Sequence, residues 1–369
     1  MIGQLTAGGA EKQVALLAKE LSRRGVATSV LLLFRGGPRE AELVDAGVEV
    51  VHLGFGRRNG RRAFGHNLAV FARMVGHLRR TKPDVLHAFL FHSYLVAAPA
   101  AWLARVPAMV AGRRSLGYFK EGRRLMLALE RVANWMTDLV VANAEAVAAD
   151  VYRQERLSPR KVAVVYNGLP EPAFAPAEPA EVITDLPVVL CVANLKWEKG
   201  HKYLVDAVGR LRDRSAPCTL VLAGAGTEEP ALCRQAAELG VDVRFLGTRW
   251  DVDRLLARAD VAVLPSLTEG MPNAVMEAMA AGTPVVATTV GGTPELLRGR
   301  GVLVPSADPQ ALADGLYTVL SDREYAGRLA REAQTWSRTH LHVDVMVDQH
   351  LALYAGLLRR RGVRPVQVG

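Results

Sequence analysis

The stretch Glu269-Gly-Met-Pro-Asn-Ala-Val-Met-Glu277 sets two carboxylates eight positions apart around a glycine turn and a proline-led helix start. One carboxylate in a loop and one a turn inside a helix suit a ligand rich in hydroxyls. Gly270 and Met271 form the turn, where glycine lets the backbone come close to a ligand. Pro272 suits the first helical position, whose N–H has no helical partner in any case. The N–H groups of Asn273 and Ala274 would then point at an anion, assisted by the helix dipole. Taken singly, each glutamate reads as a cap or a solvated side chain. The surrounding Gly, Pro and Ala281-Gly-Thr-Pro284 context favours a site that grips a phosphorylated, hydroxyl-bearing ligand.

Other segments could join it. Val192-Ala-Asn194-Leu-Lys196-Trp-Glu-Lys199-Gly200 ends an apolar run and opens a helical one. Lys199, or Lys196, there could neutralise a leaving phosphate; the plainer reading is a pair of solvated lysines. Gly8-Gly9 opens the helical stretch Ala10-Glu11-Lys12 and allows either a close approach to a diphosphate or acceptor, or a plain turn. Gly224, in Ala223-Gly-Ala-Gly226, could seat a nucleotide's sugar or base edge, or simply turn the chain. His87 ends the run Asp84-Val-Leu-His87 and is either a site residue or a structural one; His92 is a weaker candidate. There is no Asp-x-Asp, no paired His with Glu, no Gly-x-x-x-x-Gly-Lys-Ser/Thr and no Gly-x-Ser-x-Gly, which disfavours metal-cluster, NTPase and α/β-hydrolase chemistry.

These segments need elements to position them, and the chain alternates apolar runs with amphipathic ones. Strands are expected at 28–33, 48–53, 84–89, 108–111, 139–143 and 162–166, then at 187–192, 219–223, 243–246, 261–264, 284–287 and 302–304. Helical patterns lie between them, at 11–24, 67–80 and 120–136 among others, and 322–361 reads as helical throughout. Strand–helix alternation implies parallel, doubly wound sheets. At 369 residues two domains are expected: 1–170, then a Pro/Ala/Glu-rich linker at 171–186, then 187–345, with 346–369 as a C-terminal helix. Ligands bind at the carboxyl ends of such strands, so two facing sheets would make the walls of one cleft. The glycine turn at Gly8 comes so early that the first strand looks short or lacking its start.

The net charge of +9 is uneven: residues 1–170 hold 25 Lys/Arg against 13 Asp/Glu, whereas residues 171–369 hold 21 against 24. The surplus clusters at Arg57-Arg58-Asn-Gly-Arg61-Arg62, at Arg113-Arg114 and at Lys120 to Arg124. Arg61, Arg62, Arg113 and Arg114 are thus candidates for an anionic acceptor side or an anionic membrane surface. Nucleic acid is disfavoured, since no aromatic-interleaved basic motif or reading helix accompanies the charge. No run is long and apolar enough to span a bilayer, no secretory leader is visible, and the three cysteines show no metal-ligand spacing. The expected location is cytoplasmic, peripheral to the inner face of the plasma membrane.

Taken in order, the Gly8-Gly9-Ala10-Glu11 loop, Val165-Tyr-Asn167-Gly168, Lys199-Gly200, Phe245-Leu-Gly247, Asp260 to Ser266, the Glu269–Ala287 block, Gly291-Gly-Thr-Pro-Glu295 and Gly301-Val-Leu-Val304 resemble the retaining glycosyltransferases of family 4. The resemblance covers nearly the whole chain. It implies two Rossmann-like domains facing across a cleft, the GT-B fold, with the C-terminal helix crossing back to the first domain. It also implies a hexose-type donor linked to UDP or GDP, a glycan or lipid-linked acceptor in cell-surface polysaccharide or glycolipid synthesis, and no metal or other cofactor. By similarity Glu269 and the backbone from Gly270 to Asn273 hold the sugar and diphosphate. Glu277 binds the ribose, Lys199 takes the leaving diphosphate, and His87 belongs to the catalytic set. Asn194 stands where the family often has arginine, and Phe89 where it often has the second histidine of His-x-His. A catalytically silent nucleotide-sugar-binding subunit and a same-fold epimerase are the alternatives.

Overall fold

The computed structural model describes residues 1–34, 36–56, 61–117 and 122–363, without the side chains of Arg61 and Arg62. Among the described residues twelve strands run in chain order: β1 (Ser29–Leu32), β2 (Glu49–His52), β3 (Val85–Phe89), β4 (Ala108–Arg113), β5 (Leu139–Ala142), β6 (Val162–Val164), β7 (Val188–Val192), β8 (Thr219–Ala223), β9 (Val243–Phe245), β10 (Val261–Leu264), β11 (Val285–Thr288) and β12 (Val302–Val304). Each falls on one of the expected apolar runs. β4, β5, β8, β10 and β11 are buried at every position, as strands covered on both faces must be, and such strands read as unbroken apolar runs rather than alternating ones.

The chain divides into two compact units, Met1–Gly168 with Val343–Gly369, and Leu169–His342. The second holds a six-stranded sheet in the order β12-β11-β10-β7-β8-β9, every pairing parallel. Sequence order reverses between β7 and β10, and in such sheets this switch point is where strand-end loops leave room for a ligand. The first unit holds β3-β4-β5-β6 and, apart from it, the pair β1-β2.

Met1–Gly3 fills the gap between those two sheets. Ile2 N–H donates to Leu31 O and Leu33 N–H to Ile2 O, while the Met1 amino group donates to His87 O and Phe89 N–H to Met1 O. Met1–Gly3 is thus bonded on both sides, with Ile2 wholly buried. The helix Gly9–Arg23 follows it and packs against the C-terminal helix Val343–Arg360.

Three expectations need revision. The stretch 322–361 is not one helix: Arg323–His340 ends at Leu341, and Leu169 N–H donates to Leu341 O beside the Leu169–His342 bridge. Backbone groups taken by a neighbouring strand segment cannot also continue a helix. The second helix then starts at Val343, three residues before the expected domain edge. The 171–186 stretch is no free linker: Phe174 is buried, Ala180 N–H donates to Arg254 O, and the Thr184 and Thr219 hydroxyls are bonded at 2.7 Å, so it belongs to the second unit.

His350 lies wholly buried on the C-terminal helix, its Nδ1 2.8 Å from Met346 O, and burial lowers its pKa from 6.5 to about 3. His87 beside it, ring centres 5.7 Å apart, is shifted in the same direction by burial. Between about pH 6.5 and 3 the unfolded chain binds a proton that native His350 refuses. Stability present at neutral pH is therefore lost as pH falls, at about 1.4 kcal/mol per unit for such a group. The melting temperature is expected to decline below pH 6.5, and His350→Leu to flatten the decline; an unchanged slope would place the titration in other groups.

Candidate active site

In the second unit, β7 and β10 are hydrogen-bonded neighbours, so the loops leaving their carboxyl ends meet although Lys199 and Glu269 are 70 residues apart. Lys199 Nζ lies 2.6 Å from Glu269 Oε1, and Ser266 Oγ donates to the same oxygen at 2.7 Å. The carboxylate side chain is 9% exposed and the lysine 24%. Both bonds fall on Oε1, which leaves Oε2 to accept a ligand hydroxyl. Thr288 Oγ1 donates to Ser266 O at 2.6 Å, fixing the loop beneath. The expected lysine and glutamate are thus joined in one ion pair, not spread along a wall.

Backbone packing holds this loop. Gly200 (φ +66°) and Gly291 (φ +52°) occupy left-handed conformations, and a Cβ on either would clash with the Pro265 or Glu269 carbonyl oxygen respectively. Leu267 N–H donates to Glu198 O at 2.8 Å and Gly292 N–H to Gly270 O at 2.7 Å. The 265–270 backbone is therefore clamped between the loop after β7 and the turn after β11.

Asn273–Ala281 forms a nine-residue helix with Pro272 as its N-cap, not its first helical residue as expected. The reason is in the backbone: Pro272 has ψ 113°, an extended value, while its carbonyl already accepts from Met276 N–H at 3.3 Å. Ala274 is half-buried in the first turn and Met271 is buried ahead of it; Glu277 sits one turn in, half-buried. Asn194 is exposed, two residues past the end of β7. Gly224 is buried where any side chain would strike the Ala193 carbonyl, so sheet packing suffices to explain it.

Sequence reading missed what lies under the ion pair. Cys191 and His201 are buried there, the thiol pushed up to about 12 by burial and the imidazole down to about 4 by burial and then by Lys199. Both are uncharged near neutral pH, so the floor is apolar in effect, and Lys199 is the cation. Ser266, closing an apolar strand three residues before Glu269, was a usable signal; His201 was not. Among the described residues no cluster of three or more His, Cys, Asp or Glu is placed to hold a metal.

In the first unit the expected site residues lie mostly inside. Gly8 is the N-cap of Gly9–Arg23, and the Glu11 carboxylate, which accepts from Thr6 Oγ1 at 3.0 Å, lies over it. His87 is 9% exposed, with Nδ1 2.7 Å from Tyr354 Oη and its ring stacked on Phe89 at 3.9 Å. Tyr354 sits on the C-terminal helix, a partner that nothing in the local sequence pointed to.

Arg113 and Arg114 correct the expectation of a basic surface, being 6% and 8% exposed. Arg113 pairs with Glu155 at 2.8 Å, donates to Asn134 Oδ1 at 2.9 Å and covers the Tyr94 ring. Arg114 donates to Asn167 Oδ1 at 2.6 Å. A charge run in sequence carries no information on which side of a strand end faces the core. Arg57 and Arg58 and the side chains of Arg61 and Arg62 lie outside the described residues, as does Lys120.

Comparison with known proteins identifies this arrangement. Residues 186–322 match the family described as glycosyl transferases group 1, and residues 7–171 match glycosyltransferase family 4. The chain is 32% identical over 293 residues to glycogen synthase of Mycobacterium tuberculosis, a match spanning 74% of this chain and 69% of that protein. The chain belongs to the family 4 glycosyltransferases. This glycosyltransferase is also 28% identical over 370 residues to the lipopolysaccharide core biosynthesis glycosyltransferase LpsE of Rhizobium meliloti, 94% of this chain and 96% of that one. Its fold is the GT-B fold: Anabaena Alr3699/HepE, solved in complex with UDP and glucose, aligns with a TM-score of 0.83 at 24% identity, covering 96% of this chain and 98% of that one.

Gly291 carries no side chain, yet the clamp makes it control the carboxylate. Gly291→Ala should lower the melting temperature, since a left-handed alanine alone costs about 1 kcal/mol before the clash with Glu269 O. Parent-like values in a thermal-shift assay would refute the clamp.

Proposed function

We propose that this glycosyltransferase moves a hexose from a UDP- or GDP-linked donor to a hydroxyl of a glycan or lipid-linked acceptor, with retention of anomeric configuration, in cell-surface polysaccharide or glycolipid synthesis. The observation that carries the reading is the Lys199–Glu269–Ser266 cluster at the switch point of the second sheet, beside the N-terminus of Asn273–Ala281. Glu269 Oε2 accepts from sugar hydroxyls. The helix start and Lys199 hold the diphosphate, where a fixed cation in a half-buried setting stabilises the charge that grows as the glycosidic bond breaks. Glu277, one turn in, takes the ribose hydroxyls. The departing diphosphate oxygen then receives the acceptor proton on the face it leaves, which gives retention without a protein nucleophile. Glu269, already bonded twice on Oε1, serves to position the sugar. The UDP complex of Anabaena HepE supports the donor class and the LpsE likeness the acceptor class.

The first unit adds a membrane-facing surface to this reading. In the helix Arg124–Trp135 the inward residues include Glu130 and Asn134, whereas Leu125, Leu129, Val132 and Trp135 are 74%, 50%, 55% and 70% exposed. Arg123, Arg124 and Arg131 are exposed alongside them. Apolar side chains outward with arginines beside them suit the interface of an anionic bilayer, on the cytoplasmic side where nucleotide sugars are made. No helix among the described residues is long and apolar enough to cross a membrane.

A thermal-shift panel of UDP-, GDP- and ADP-sugars tests the donor, because a ligand bound only by the native state raises its stability. One nucleotide class should shift the melting temperature by several degrees; no shift with any of them would sink the reading. Glu277→Ala should mainly raise the donor KM, and Lys199→Ala should lower kcat at least 100-fold; release of the nucleoside diphosphate only with an acceptor present separates transfer from silent binding or epimerisation. For the membrane surface, Leu129→Glu should cut co-sedimentation with phosphatidylglycerol vesicles several-fold without lowering the melting temperature, and undiminished co-sedimentation would remove that surface from the proposal.

A further inference from the structure

The carboxyl end of the second unit's sheet is short of positive charge. The loops that leave its six strands carry three cations, Lys196, Lys199 and Arg249, against the carboxylates Glu198, Glu228, Asp251, Glu269 and Asp308. Glu277, one turn inside the helix Asn273–Ala281, adds another. A diphosphate arriving there brings further negative charge, and like charges brought close together disfavour binding. Two of the three cations are already committed. Arg249 holds Asp251 through bonds of 2.8 and 2.5 Å and draws that carboxyl down to about 2. Lys199 lies 2.6 Å from Glu269.

Lys196 is the one that remains. It is exposed and has no ion pair among the described residues. Its backbone, by contrast, is held. Lys196 N–H donates to Asn194 O at 2.8 Å, and Lys196 O accepts from Lys199 N–H at 3.0 Å. That second bond closes a turn, which brings the Cα atoms of the two lysines within about 7 Å of each other. Neighbouring strand-exit loops fix the turn from two sides. Leu195 N–H donates to Ala225 O and Leu195 O accepts from Glu228 N–H, while Leu267 N–H donates to Glu198 O. A side chain on Gly226 would strike the Leu195 carbonyl. The base of Lys196 is therefore rigid, and its long side chain is unpaired. Asn194, two residues earlier, is exposed but carries no charge.

We infer that Lys196 closes on the diphosphate of the donor as a second cation beside Lys199. The inference rests on the reading that the second unit binds a nucleotide sugar, and adds the residue that offsets the surplus of carboxylates there. An ammonium on a flexible four-carbon stem suits the task, because it acts as a movable point charge and needs no fixed fork geometry. Lys199 is placed before the ligand arrives; Lys196 is ordered by it.

The test uses the full chain and its Lys196→Ala, Lys196→Arg and Lys202→Ala variants, all in EDTA. Probes are UDP and GDP, the matching monophosphates and the matching nucleosides. Lys196→Ala should weaken binding of the diphosphate about 10-fold, that of the monophosphate less, and that of the nucleoside not at all. Lys196→Arg should restore most of the loss. Lys202→Ala, which removes an exposed lysine lying over the Tyr203 ring, should change nothing. Raising the salt from about 50 to 500 mM should narrow the gap between parent and Lys196→Ala, since exposed charges are screened; a merely structural role would leave the gap constant. Unliganded Lys196→Ala should melt with the parent. Equal diphosphate affinity in parent and Lys196→Ala, the same loss for nucleoside as for diphosphate, or diphosphate binding that needs added magnesium would each overturn the inference. A parent that binds none of the nucleotides takes the donor reading down and this one with it, whereas a parent that binds them no better than Lys196→Ala dismisses Lys196 alone.

Discussion

The strand-exit loop 265–270 has almost no freedom, and the site of the second unit depends on that. Gly200 presses on it from one side and Gly291 from the other, each at a distance where a single methyl group would collide with a backbone carbonyl. Two backbone hydrogen bonds, to Glu198 O and from Gly292 N–H, lock the contact. Only with the loop immobilised can one carboxylate oxygen be fixed by both Lys199 and Ser266 while the other stays open. Preorganisation of this kind puts the cost of ordering into folding rather than into ligand binding.

The first unit follows a different electrostatic logic. Its sequence is strongly basic, yet the arginines nearest the sheet ends are internal. One is neutralised by Glu155 and Glu130, and these carboxylates belong to helices whose other faces look outward. On the helix Arg124–Trp135, Glu130 and Asn134 face in towards Arg113 beside Met126 and Ala133, while Leu125, Leu129 and Val132 face out. An internal ion network and an external apolar stripe are thus two faces of one helix.

Much of this was legible in the chain. The strands among the described residues were readable as apolar runs, most plainly β4, β5, β8, β10 and β11, since strands buried on both faces must be continuously apolar, and Lys199, Glu269 and Glu277 stood out because they border glycine and proline turns at strand ends. Less was legible where contacts skip along the chain. His87 was marked as a site residue, but its partners Tyr354 and His350 come from a helix more than 260 positions later. The helix break at Leu341 depends on a bond to Leu169, and no local pattern announces it.

Composition and periodicity by themselves determined the fold class, the order of the elements and the residue types available to the candidate site, since each is a property of short windows of sequence. The tertiary structure alone decided which of those residues meet. It made β7 and β10 neighbours, which turns Lys199 and Glu269 into one ion pair. It also sent Arg113 to a carboxylate and left Arg114 beside an amide. Charge in a sequence is a count, whereas its energy depends on burial and on the distance to the opposite charge, and both are fixed only when distant segments pack.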